Sequence, residues 1–504
     1  MVTSGVVIAI PGIIPEGTDT MMTGDTVSSA NKTQDPQFCG GDQARSTTYV
    51  QEYKIPSECT MPLAITVDDD GQVWFAQTNT GRLSKFNPLT EGFVEYTNDQ
   101  WQSEVRSMMW GMDQDPDGNI WFTDAVHSSI WRFSTVTNSY DQYRFPTTSE
   151  QSLLQRVSVV DNRLLINDFQ GGKLIVLNLG GSDGRLPYGE IPSPVPNSLT
   201  GAFDVDSNGN IWYTNWIYQQ DGVLVKIDQQ AELLASIQDD ATPSDFIILY
   251  GLPPDLTAPN GLTVDGQNMI WIADTSTSYF FKFNQTSDVF TRYVTSEAPL
   301  STYGNASGIV FSPTTRPYWT ALDDQGRLVF NEQTGNRLAV FDPRDESLIE
   351  YLVPSKNPHW GDCGEMVDCG LAQVFGFALD GNRIWFTEWV ENNIGVVDTS
   401  IPLPFRVDVQ SDKILANAGE RVEITAKITP AAAYAGDVEI SLANPAPDDI
   451  RLSHGGYSAD SGAVTVIVDI DDDAAGGTYK ILVGAQNDEI TISQYATVEV
   501  PPPV

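Results

Sequence analysis

A short phrase recurs seven times along this chain, and no other feature restricts its fold as severely. It reads VDDDGQVWFAQ ending at Gln77, DPDGNIWFTD ending at Asp124, DNRLLINDF around Asp168 and DSNGNIWYTN ending at Asn215. The later copies are VDGQNMIWIAD ending at Asp274, DDQGRLVFNE ending at Glu332 and DGNRIWFTE ending at Glu388, with spacings of 44 to 59 residues. Self-similarity at such a period marks a repeat architecture in which each copy is one supersecondary unit. Ahead of most copies lies a short apolar strand, often led by glycine (GAFDVD, GLTVD, GFALD). Behind them come a further strand (SSIWRFS, GVLVKID, NNIGVVD) and an alternating one that tends to end near proline. Four short strands per unit, turn residues between them and almost no helical periodicity predict a propeller blade. Seven such units predict an all-β, seven-bladed β-propeller.

The seventh copy ends in VENNIGVVD at Asp398 with no fourth strand behind it, whereas TYVQEYKIP, from Thr48 to Pro56, is an orphan of that kind. The N-terminal strand is therefore expected to complete the last blade and remove the open edges. From Ile401 the register changes to alternating strands such as VEITAKITP, GAVTVIVDI and YATVEV, which predict an immunoglobulin-like β-sandwich. The expected organisation is an N-terminal extension over 1–46, the propeller over 47–400 and the sandwich over 401–504. The closing PPPV resembles the start of a linker.

One copy, DQDPDGNIWFTD from Asp113 to Asp124, nearly spells an EF-hand calcium loop. The strand period argues otherwise. With Ile120 to Thr123 extended, Asp124 stands roughly 20 Å beyond Asp117, too far to close a calcium loop. A turn site using only the first three acids stays open, shared with TVDDDGQ and DVDSNGN.

A formal charge of -40, from 67 acids against 27 bases, would repel nucleic acid and anionic membrane. No run approaches the roughly 20 apolar residues of a membrane span. The four cysteines fall in two close pairs, Cys39/Cys59 and Cys363/Cys369, which suits two local disulfides and an oxidising compartment. Zinc is the rival reading, with His359 near the second pair. Sequons stand at Asn31, Asn284 and Asn305, and Val6 to Ile14 reads as the remnant of a secretion signal or as an ordinary strand. These features place the protein outside the cell or on its surface.

The phrases "DGNIWFTD … IWRFS" and "GNRIWFTEWVENNIGVVD" resemble the virginiamycin B lyase group of propellers and, more broadly, the NHL-repeat type, over residues 48 to 398. The resemblance implies a magnesium ion held by W-F-T-E glutamates and histidines that open a cyclic depsipeptide by elimination. Carried over, the glutamate falls on Glu388 and, in the looser VFNE, on Glu332. Where the lyase pattern offers histidine ahead of the first strands, this chain has Leu63, Trp110, Arg156, Thr200, Asn260, Ser307 and Phe375.

In a propeller the second-strand ends gather around one mouth of the channel. Here they are Gln77, Asp124, Asp168, Asn215, Asp274, Glu332 and Glu388: five carboxylates and two amides. Such a ring offers an oxygen cage for Mg or Ca, or it accepts hydrogen bonds from the neighbouring turns. His127 and His359 are the candidate general bases near that face, and Trp110, Arg156, Asn260 and Phe375 are candidates for a binding face. The tryptophans at the shared blade position (Trp74, Trp121, Trp212, Trp271, Trp385) read as packing residues. The acids Asp469 to Asp473 read as a solvated turn, and His454 as a surface residue. The leading reading is binding or assembly with an extracellular protein, a glycan or a small-molecule ligand. A metal-dependent lyase or lactonase is the alternative.

Overall fold

The computed structural model describes residues 39–502 apart from 41–42, 102–105, 146–151, 181–185, 187, 218–219, 221, 229–245, 309–313, 411–412, 433 and 456–461. The Val6–Ile14 segment and the Asn31 sequon lie outside the described residues.

Between Val50 and Asp398 the chain forms six four-stranded antiparallel sheets and a seventh four-strand run that continues into a larger sheet. Each is a meander paired in chain order, except for the strand that closes the last unit. The second strand of unit II is Ile120–Asp124, that of unit VI Leu328–Glu332 and that of unit VII Arg383–Glu388, all at the repeated phrase. Among the described residues no helix is long and apolar enough to cross a membrane.

The repeated aspartates explain why the phrase folds as it does. Asp115 Oδ1 accepts from the amides of Asp117 and Asn119, and its Oδ2 accepts from the Trp121 indole at 2.7 Å. Asp68, Asp206 and Asp265 repeat the pattern with Trp74, Trp212 and Trp271. One carboxylate thus builds the turn and anchors the core indole of the next strand. On the adjoining strand Lys85, Arg132, Lys226 and Lys282 lie over those rings. Of the three turn acids, Asp113 accepts from the Val159 amide, Asp115 is engaged by donors, and Asp117 is exposed.

In five of the seven units the residue just before the end of the repeated phrase ties that unit to the next; units I and V carry Ala76 and Ala273 there. Thr123, Thr214 and Thr387 donate to the carbonyls of Gln155, Pro259 and Leu63, and Asn167 and Asn331 donate to those of Thr200 and Val374. All five side chains are buried, so each bond satisfies a carbonyl that water cannot reach. The backbones come very close there. A Cβ on Gly261 would sit 1.9 Å from the Tyr318 carbonyl oxygen, and one on Gly376 2.3 Å from that of Leu63.

The strand Val50–Lys54 pairs antiparallel with Asn393–Asp398, from Val50↔Val397 to Lys54↔Asn393, and closes the seventh unit as expected. Beyond Ile401 two sheets share one core, with Val407, Ile424, Val466 and Val468 against Ile481, Val483 and Val498. These elements are not simply strung behind the repeats. The strand Ile490–Val500 pairs with Ser347–Leu352, the outer strand of unit VI, and makes one continuous eight-stranded sheet. Tyr495 Oη donates to the Val294 carbonyl, and Lys480 Nζ stands 2.5 Å from Glu346.

Candidate functional site

The first strands of units I, II, III, VI and VII surround a cavity of about 300 Å³. Six of the seven first strands carry a register shift near their start, as between Pro62 and Ile65 or Pro317 and Thr320. A bulge there re-aims side chains toward the channel. The strands grow wetter along their length. Pro62–Val67, Pro317–Leu322 and Val374–Asp380 start buried and become half-buried toward the turn that follows.

The other end of the channel is sealed by aromatic residues. Tyr318, Phe375, Trp360 and Trp389 are buried together with Leu63 and Met61. Phe375 meets Trp389 at 5.4 Å and Trp110 at 5.6 Å, and Trp389 meets Trp360 at 5.3 Å. Trp360 arrives on the insertion pinned by the Cys363–Cys369 disulfide, and Trp389 on the turn after Glu388. The cavity is therefore reached from the end where the aspartate turns lie.

Within it, Arg156 of unit III reaches across to Trp319 of unit VI, its guanidinium carbon 5.9 Å from the ring centroid. The guanidinium makes no hydrogen bond or ion pair among the described residues. Asp113 and Asp204 influence it through space, but their oxygens are committed to backbone amides of Gln114, Val159, Val205 and Val264. Burial pushes both carboxyls above their ordinary values, and Arg156 offsets part of that. Thr66, Ser158, Thr320 and Trp110 complete the polar lining.

Of the expected binding-face residues, Trp110 and Arg156 line the cavity, whereas Phe375 belongs to the seal. Asn260 is buried and donates to Thr275. Ser307 does not begin a first strand. That strand in unit VI is Pro317–Leu322, and it brings in Trp319, which sequence reasoning missed. Ser307 drew the eye because a glycine follows it, as in several of the other units, while PYWTAL has no glycine to announce it.

The second-strand ends do not gather into a cage. Among the described residues no three His, Cys, Asp or Glu side chains converge as metal ligands. Each ring residue is folded into its own unit and buried. Asp168 accepts from the amides of Leu153 and Gly171, and Asp274 from those of Thr257, Ala258 and Ser276. Gln77 donates to Ser84 and Glu95, and Asn215 to Ser198 and the Leu199 carbonyl. Asp124 accepts from Ser107 and the Trp131 indole and pairs with His127 Nδ1 at 2.7 Å. Burial opposes its ionisation, but the bonds from His127, Ser107 and Trp131 outweigh that and hold it below the usual range.

Glu332 Oε2 accepts from Arg337 at 2.7 Å, so a guanidinium already engages the carboxylate that would hold the implied magnesium. Glu350 completes the cluster 3.5 Å from the same guanidinium nitrogen. Burial pushes Glu332 well above the usual carboxylate range, Glu350 adds to the rise, and Arg337 offsets only part. Burial likewise raises Glu388, with Glu52 beside it, and Asn393 is its hydrogen-bond donor at 2.9 Å. These two glutamates sit in separate units and do not fit the implied ion, so no step is derived through it.

His359 is exposed on the disulfide insertion, its amide bonded to Asn357. Both cysteine pairs form disulfides, Cys39–Cys59 and Cys363–Cys369, which removes the zinc reading. The Asn284 side chain accepts from the amides of Thr286 and Ser287, and Asn305 is half-buried. In the acid run, Asp469 and Asp471 pair with Arg421 and Arg451. His454 is exposed.

No protein-family model matches the chain, and no curated protein sequence does. Solved structures do resemble it. Virginiamycin B lyase from Staphylococcus aureus covers 69% of this chain with 98% of its own, at 19% identity and a TM-score of 0.52. A catalytically inactive variant of that enzyme with quinupristin gives 20% identity, the same coverages and a TM-score of 0.52. A streptogramin B lyase structure aligns at 18% identity and a TM-score of 0.51, covering 69% of this chain and 96% of its own. The likeness is one of fold: the repeat region is a β-propeller of the virginiamycin B lyase type.

Proposed function

We propose that the chain is a seven-bladed propeller over 47–400 joined to an immunoglobulin-like sandwich over 401–504, preceded by an extension over 1–46. It acts outside the cell or at its surface as a binding protein, and its ligand enters the propeller channel. The observation that carries this reading is the asymmetry of that channel. One end is sealed by Tyr318, Phe375, Trp360 and Trp389, while the other leads to Arg156, whose guanidinium lies over Trp319 and has no hydrogen-bond or ion-pair partner among the described residues. Pockets that hold one small ligand combine apolar walls with a few such convergent polar groups. The two disulfides favour an oxidising location.

A metal-dependent lyase or lactonase is the second reading, favoured by the fold likeness and by the His127–Asp124 pair, which has the form of an oriented base. Against it, Glu332 already pairs with Arg337, and Glu388 lies buried beside Glu52. Metal analysis of the purified protein and turnover assays on cyclic depsipeptides and lactones separate the readings. The binding reading expects no stoichiometric Mg or Ca and no turnover. Tight metal lost on Glu388→Gln, together with turnover lost on His127→Ala, would replace it with the enzyme.

A further inference from the structure

We infer that the channel cavity takes a neutral sugar residue at the end of a glycan, an assignment that rests on the binding reading above. Size sets the first limit. About 300 Å³ stands at the lower end of small-molecule pockets, roughly 300–1,000 Å³, and admits one pyranose ring rather than a longer segment. With the far end of the channel closed by aromatic residues, the ligand enters as a chain end and not as a strand threaded through.

Charge sets the second limit. An anion would approach a protein of net charge -40 and then meet Asp113 and Asp204 beside Arg156. A cation would meet the guanidinium itself, which with Trp319 spans the cavity. A neutral polyol carries no such penalty, and its hydroxyls both donate and accept.

The lining then supplies what a sugar ring uses. The guanidinium offers five N–H donors to hydroxyl and ring oxygens. The Thr66 side chain makes no hydrogen bond among the described residues, so its hydroxyl can donate and accept. Half-buried Trp110 presents an indole to the apolar C–H face of the ring, and its Nε1 finds no protein acceptor among the described residues. Trp319 is the second indole, fixed beneath Arg156 and 4.6 Å from Tyr318. An indole beside fixed donors and acceptors is the arrangement by which a protein selects a ring that is apolar on its faces and polar at its edge.

The test is calorimetric titration of the full chain with neutral methyl glycosides, glucuronate and an alkylammonium salt. Circular dichroism and thermal melting would confirm the fold of each variant. At least one neutral glycoside is expected to bind, with affinity about tenfold weaker in Arg156→Met, which keeps the stem on Trp319 but loses the charge-assisted donors. Trp110→Leu is expected to weaken binding without loss of fold. Glycoside binding indifferent to both substitutions, or binding of glucuronate or the ammonium salt alone, would overturn the sugar assignment while leaving a binding protein. Absence of binding by every probe, together with metal-dependent turnover, would bring down the binding reading as well.

Discussion

Arg156 and Trp319 come from units on opposite sides of the ring and meet across its channel, guanidinium carbon to ring centroid 5.9 Å. The pair is a brace as well as a lining. Trp319 is 8% exposed and packs on Tyr318, so Trp319→Ala removes a large buried ring that little else can replace. The expected cost is about 3–5 kcal/mol, read by denaturant unfolding, and Trp319→Phe should recover more than half of it. A loss under about 1 kcal/mol would mean that the channel collapses freely around the gap.

Buried carboxyls make stability depend on pH in two opposed ways. Glu332 and Glu388 titrate higher in the folded protein than unfolded, through burial and then through Glu350 and Glu52. Such groups favour folding fully below their unfolded values and lose that contribution as pH rises toward the folded ones. Asp124 and Asp206 are held low, and their contribution is lost as pH falls through their folded values. Stability should therefore peak at mildly acid pH. Glu350→Gln removes one of two carboxyls facing the single Arg337 guanidinium and should flatten the alkaline limb of a melting profile measured from pH 5 to 9. An unchanged slope would show that the pair is not the source.

The bonds between units are individually small and recur at five of the seven junctions. Thr387 Oγ1 donates to the Leu63 carbonyl at 2.7 Å. Thr387→Val keeps the shape, leaves that carbonyl without its donor and should cost about 1–3 kcal/mol in denaturant unfolding. Combining it with Thr123→Val should be close to additive, because the two bonds share no partner.

The turn aspartates hold backbone amides and core indoles. Asp115→Ala strands the amides of Asp117 and Asn119 and the Trp121 indole, and is expected to lower stability by about 1–3 kcal/mol. Adding millimolar calcium should leave the melting temperature of the unaltered protein where it was. A calcium-dependent rise abolished by Asp115→Ala would restore the calcium reading of DQDPDGN.

Much of the frame was legible because alternation and turn chemistry are local. The ends of the second strands at Asp124, Glu332 and Glu388 followed from the phrase alone, as did the pairing of Val50–Lys54 with the last unit. The site was less legible, because it depends on where side chains go after the ring closes. Nothing in WFTEW announces that Trp389 turns inward, or that an insertion carries Trp360 to meet it. The acids at the strand ends looked like ligands because the letters cannot show that amides and Arg337 reach them first. Trp319 went unnoticed because its strand lacks the glycine that introduces several of the others.

The pairing of Val50–Lys54 with Asn393–Asp398 also sets an order of assembly. During synthesis the first of these strands emerges about 350 residues before its partner, and neither neighbour can settle fully until both exist. Until then the units already made have two unpaired strand borders, the kind of edge that invites mispairing. Within the ring the bonds that close them are those whose two partners lie farthest apart along the chain, and the strand Ile490–Val500, made later still, adds its own pairing to unit VI.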